Sequence, residues 1–78
     1  MSEVDDLMVD VMMRSDNEAE NAVVRLIHLT EAERLNEEEQ KRVLKALQRR
    51  MVKVKSDSDL YDFIQRLTRI IEGQTDSS

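Results

Sequence analysis

Any chemistry in this chain must come from few side chains. His28 is the sole histidine, and there is no cysteine. His28 and Glu31 stand three residues apart, so a helix would turn both to one side, as two ligands of one metal ion require. Carboxylate-bridged metal sites in helical bundles, however, use the order Glu-x-x-His and use it twice, and the chain contains neither copy. Without cysteine, the thiolate zinc sites and disulfide frameworks that staple small domains are excluded as well. The run "DSDLYD", Asp57 to Asp62, offers the spaced oxygens of a calcium loop, but that loop needs glycine at its sixth position and glutamate at its twelfth. Here those positions are Asp62 and Thr68. No serine sits in a nucleophile elbow. Carboxylates abound, yet a chain of 78 residues leaves little concavity in which to bury one and alter its acidity. The expectation is a protein that is not an enzyme and has no cofactor, metal or small-molecule substrate.

Charge is the more informative pattern. "KRVLKALQRRMVKVK", residues 41–55, holds seven Lys or Arg and no acid, in a chain whose formal net charge is −5. Residues 1–40 carry twelve acids against Arg14, Arg25 and Arg34, whereas residues 41–78 carry nine bases against Asp57, Asp59, Asp62, Glu72 and Asp76. On a helical wheel, Lys41, Arg42, Lys45, Arg49 and Lys53 share the side opposite Val43, Leu47 and Met51. Part of this is local stabilisation: acids that start a helix and bases that end it complement its macrodipole, and Glu37–Lys41 and Glu38–Arg42 are well-oriented i, i+4 pairs. The neighbours Lys41/Lys45, Lys45/Arg49 and Arg49/Lys53 work the other way, each costing roughly 0.2–0.5 kcal/mol in an isolated helix. This face is therefore either a solvated surface or a contact for an acidic partner.

Nucleic acid is the alternative partner, and the whole chain opposes it. Its pI is near 4.8, whereas DNA-binding domains usually lie above about 9. Twelve acids in the first half would repel phosphate, and Tyr61 and Phe63 are the only aromatics available for stacking on bases. A protein partner is expected first, and a nucleic-acid-binding regulator using helix 41–55 second.

A second candidate surface lies near the N-terminus. Val4, Leu7, Met8, Val11 and Met12 form one apolar face, while Val9 and Met13 project away from it and leave Asp6 and Asp10 a narrow polar remainder. Four of the five methionines, Met1, Met8, Met12 and Met13, fall in this segment. Methionine is flexible and polarisable, and adaptable binding surfaces use it heavily. A helix apolar on two sides most easily finds its second partner in another copy, so Met8, Val9, Met12 and Met13 are the self-association candidates and a homodimer is expected. The acids Asp5, Asp6, Asp10, Glu18 and Glu20 raise a further expectation, a phage-type inhibitor whose carboxylates imitate phosphates.

The elements that must position these residues are legible from caps and periodicity. Ser2 caps a first helix, and Ser15 with Glu18 has capping-box spacing for a second, whose apolar stripe Ala19, Ala22, Val23, Leu26, Ile27 and Leu29 ends near residue 30. "TEAERL" then reads as a turn or frayed extension. Asn36 with Glu39 starts a third helix, which carries Val43, Leu44, Leu47, Met51 and Val54. Ser56 or Ser58 caps a fourth, with Leu60, Phe63, Ile64, Leu67, Ile70 and Ile71 on one side and Gly73 as its C′ residue. Proline is absent and Gly73 is the only glycine, which excludes a turn-rich β fold.

The fold is therefore expected to be all-α, a small compact bundle of three to four short antiparallel helices. Residues 1–73 form the single domain and 74–78 a disordered polar tail. The core is drawn from Val4, Leu7, Val11, Val23, Leu26, Ile27, Leu44, Leu47, Met51, Leu60, Phe63, Ile64, Leu67 and Ile70. No apolar run approaches the ~20 residues that cross a bilayer, and no signal peptide is visible at the N-terminus. The expected setting is the cytoplasm, or a host's cytoplasm for a viral protein. The expected role is a protein–protein interaction module: a small regulator, adaptor or inhibitor.

Overall fold

Asn36 begins a helix as its spacing predicts: its Oδ1 accepts from Glu39 N at 2.8 Å, and Glu39 Oε1 accepts from Asn36 N at 3.1 Å. This reciprocal box starts the third of four helices in the computed structural model, which describes residues 3–75. They are α1 (Glu3–Met13), α2 (Asp16–Glu31), α3 (Glu37–Met51) and α4 (Asp59–Thr75). The protein is all-helical, with no strand among the described residues. No described helix is long and apolar enough to cross a membrane. The expected Ser2 cap lies outside the described residues, as do positions 76–78 of the expected tail.

Other boundaries depart from the simple reading. Ser15 occupies the N-cap of α2 with extended backbone, but its side chain makes no cap bond. Glu18 turns instead toward Arg14, at 3.8 Å, so the box is not formed. At α4, Ser58 is the cap and Ser56 is not: Ser58 Oγ accepts from Tyr61 N at 3.2 Å. Helix α3 stops at Met51, short of the stripe that continues through Val54. Val52 is 86% exposed, so another helical turn would bury nothing there, whereas a turn returns Val54 to the core. Lys53 thus lies beyond the helix. Gly73 is not a C′ residue either, because α4 runs through it to Thr75. No glycine has positive φ, and Gln74, assigned to a disordered tail, makes tertiary hydrogen bonds.

Those bonds tie three helix ends together. Gln74 Nε2 donates to the Thr30 carbonyl at 3.0 Å. Gln40 Nε2 donates to the Leu35 carbonyl at 3.0 Å and to Gln74 Oε1 at 3.3 Å. Fully buried Thr30 returns its hydroxyl to the Leu26 carbonyl at 2.7 Å. At the opposite end Arg50, with only 11% of its side chain exposed, donates to the Arg14 carbonyl at 2.8 Å and to Asp16 at 2.6 Å. A partly buried, charge-assisted clamp of this kind stabilises more than a surface pair does.

The core contains Val4, Val11, Val23, Leu26, Ile27, Leu47, Leu60, Ile64 and Leu67, as expected. Leu7, Leu44, Met51, Phe63 and Ile70, expected inside, are only partly buried at its margin. Ala19, Ala22 and Ala46 take central places instead, together with Leu29 and Leu35. Small side chains let neighbouring helix backbones approach, so larger residues need to line only one side of each contact.

Helix direction decides which faces meet. Glu3 pairs with Arg25 at 3.0 Å and Arg14 with Glu18, so α1 and α2 are antiparallel. Gln40 meets Gln74 while Met51 lies beside Gln65 and Thr68, so α3 and α4 are antiparallel too. Between the two hairpins the sense is shared. Asp5 faces Arg42 near the start of α1 and α3, and Arg14 meets Arg50 near their ends. Around the bundle the packed order is α1, α2, α4, α3.

Candidate functional site

Side-by-side packing of α1 and α3 leaves a furrow between them along the outer surface. Its lining is Asp5, Met8, Val9 and Met12 from α1, with Arg42, Lys45, Ala46 and Arg49 from α3, around a volume of about 320 Å³. The two surfaces that the sequence offered separately, one methionine-rich and one basic, are the two walls of one groove. Periodicity explains which members of each set arrive. On α3, positions 42, 45, 46 and 49 follow i, i+3, i+4, i+7 and face α1; on α1, positions 5, 8, 9 and 12 repeat the same spacing toward α3.

The floor is apolar. Met8 and Ala46 are buried and Met12 is half-buried, while Val9, 48% exposed, stands at the rim on α1. Above it stand three cations. Arg42 is held loosely, at 3.8 Å from Asp5 and 3.9 Å from Glu38. Lys45 and Arg49 are exposed and have no salt-bridge partner among the described residues. Asp5 closes the end nearest the helix N-termini as the one acid of the lining. From Asp5 to Met12 the groove runs about 10 Å, two turns of helix.

The remaining sequence candidates fall elsewhere. Lys41 is exposed but does not line the groove, and Lys53 sits in the turn after α3. The single i+4 row of four bases is therefore broken: only Lys45 and Arg49 of that row reach the groove, joined by Arg42 from the adjacent row. Met13, 76% exposed, lies beyond the groove on the outer side of α1. The acids expected to imitate phosphates are spread over α1 and α2: Asp10 and Glu18 flank Arg14, and Glu20 faces the start of α4. His28 is exposed, and no cluster of three or more potential metal ligands occurs among the described residues. Ala46 is the groove residue that sequence reasoning missed. Its signal was a small side chain inside the basic run, at the place where two helices approach.

A second concavity, on α4, is lined by Asp62, Gln65, Arg66, Arg69 and Ile70. Arg66 there stacks over Phe63, 5.6 Å from the ring centroid. This hollow belongs to a single helix, and Ile70 is the one hydrophobic residue of its lining. Comparison with protein-family models, curated proteins and solved structures finds no match to this chain.

Proposed function

We propose that this protein is a non-enzymatic docking module, a small regulator, adaptor or inhibitor, whose α1/α3 groove seats an acidic amphipathic helix from another protein. One observation carries the reading: Met8, Met12 and Ala46 form an apolar floor, with Val9 at its rim, in the same groove that Arg42, Lys45 and Arg49 line. Helix-in-groove recognition uses apolar anchors at i, i+3, i+4 and i+7, and a two-turn groove accommodates one such set. Methionines let the floor adjust to anchors of different shape. The cationic wall selects acids along one edge of the incoming helix and disfavours a basic one. A chain without cysteine suits a reducing compartment, and the cytoplasm is the proposed setting.

Fluorescence anisotropy with a labelled synthetic helix, bearing leucines at anchor spacing and glutamates along one edge, tests this. The paired substitution Lys45→Glu, Arg49→Glu should weaken binding about tenfold or more, and Lys53→Glu, outside the groove, should leave it unchanged. Equal binding of a probe with lysines in place of its glutamates would refute the reading. So would duplex DNA binding through the same residues with a steep loss between about 50 and 200 mM salt, which is the signature of counterion release from phosphate.

A further inference from the structure

The outer side of α1 has the features that its own groove selects. Val9 and Met13, i and i+4, make an apolar ridge that is 48% and 76% exposed. Asp6 and Asp10 flank the ridge on the side away from α3, as their positions on the wheel require. Asp6 is exposed, and Asp10 pairs with Arg14 at 3.6 Å. Helix α1 is thus an acid-flanked apolar helix that lies beside a base-flanked apolar groove.

We infer that the resting occupant of the α1/α3 groove is α1 of a second copy, in a two-fold dimer that covers both grooves at once. This rests on the docking role proposed for the groove and names a particular partner for it. Handedness decides whether such a dimer can form. Viewed from the N-terminus of α1 with its ridge pointing up, α3 lies to the left and Asp6 and Asp10 to the right. A two-fold axis running along the helices keeps the two α1 helices parallel and turns the second copy's ridge down into the first groove. That operation carries the second copy's acids to the left, over Lys45 and Arg49 of the first copy. By symmetry the first copy's acids meet the second copy's Lys45 and Arg49, the self-complementary pattern a two-fold interface needs.

The levels match as well. Asp5 stands opposite Arg42, and Arg14 opposite Arg50, so residues 6–10 of α1 lie level with residues 43–47 of α3. Met13 of the second copy then arrives at the end of α3, where Val52 is 86% exposed. The three large exposed hydrophobics of the described chain, Val9, Met13 and Val52, all fall within this one contact. Because one groove serves both purposes, self-association and docking of a foreign helix exclude each other.

A charge swap tests the arrangement. By sedimentation equilibrium at high micromolar concentration the wild type should be a dimer. Asp6→Lys, Asp10→Lys should be a monomer, and Lys45→Glu, Arg49→Glu should be a monomer too. Mixed in equal amounts, the two variants should form a heterodimer, because both contacts again join opposite charges. Met13→Glu, at a position too exposed to affect folding, should weaken the wild-type dimer about tenfold or more. Circular dichroism checks that each variant keeps its helix content. A monomeric wild type, or a dimer that survives both swaps, overturns the inference, and so does a mixture that fails to pair while both variants remain folded. The monomeric Asp6→Lys, Asp10→Lys variant has an intact groove, which separates this inference from the function it rests on. If that variant binds the acidic probe and the wild type is monomeric, docking stands and the dimer falls. If the swaps pair but the variant ignores the probe, the dimer stands and foreign docking falls.

Discussion

Glu33 has φ of 57°, the positive φ found at no other non-glycine residue described. It follows α2, where its N–H donates to the Thr30 carbonyl at 3.0 Å and Arg34 N–H donates to the Leu29 carbonyl at 2.9 Å. That pair of bonds is the Schellman motif, which usually has glycine at this position. A side chain there costs roughly 1–2 kcal/mol in contact with the following carbonyl, and a carboxylate is also the wrong charge for a helix C-terminus. Replacement by glycine relieves both effects but adds freedom to the unfolded chain. The net expectation for Glu33→Gly is a gain of about 0.5–1 kcal/mol in denaturant unfolding, whereas Glu33→Ala should change little because the backbone strain remains. A loss of stability on Glu33→Gly would mean that the Glu33 carboxylate has a role the strain argument omits.

Gly73 poses the converse question at the scale of the element. As a C′ cap it would resist any side chain, but inside α4 it is a helix-weakening residue with open space where a Cβ would stand. Gly73→Ala should therefore raise stability by about 0.5–1 kcal/mol, measured by thermal or denaturant unfolding. Destabilisation of similar size would restore the capping role. Of the helix boundaries, the start of α3 was legible because Asn36 and Glu39 form a local device that needs no tertiary context. The end of α4 was not, because Gln74 is held in the helix by Thr30 and Gln40, more than thirty residues away in sequence. The end of α3 was obscured because Val54 continues the apolar period of the helix, yet a turn rather than a further helical turn carries it to the core. Both walls of the groove were visible in the sequence. Their meeting was not: it depends on α3 lying beside α1 in the same sense, and a helical wheel says nothing about which helices are neighbours.

Across the whole molecule, the division into an acidic first half and a basic stretch does not survive folding as two poles. Asp5–Arg42 and Asp16–Arg50 join the halves, so the cations of the groove sit within a shell of net negative charge. A long acidic partner is repelled at a distance and attracted at contact, so its association rate should depend less on salt than that of a purely basic surface. The same ring of helices brings the two ends of the described chain together. Glu3 starts α1 beside the last part of α2, and Gln74 near the end of α4 bonds to Thr30 at the same end. A flexible linker of roughly eight residues spans two diagonally placed helices about 14 Å apart. The chain could then be closed there and reopened between Lys55 and Asp57, where the side chains are exposed. Such a circular permutant would begin at α4 and end with α3. It should melt within several degrees of the parent and bind the same probe, because its ends are moved and no helix contact is cut.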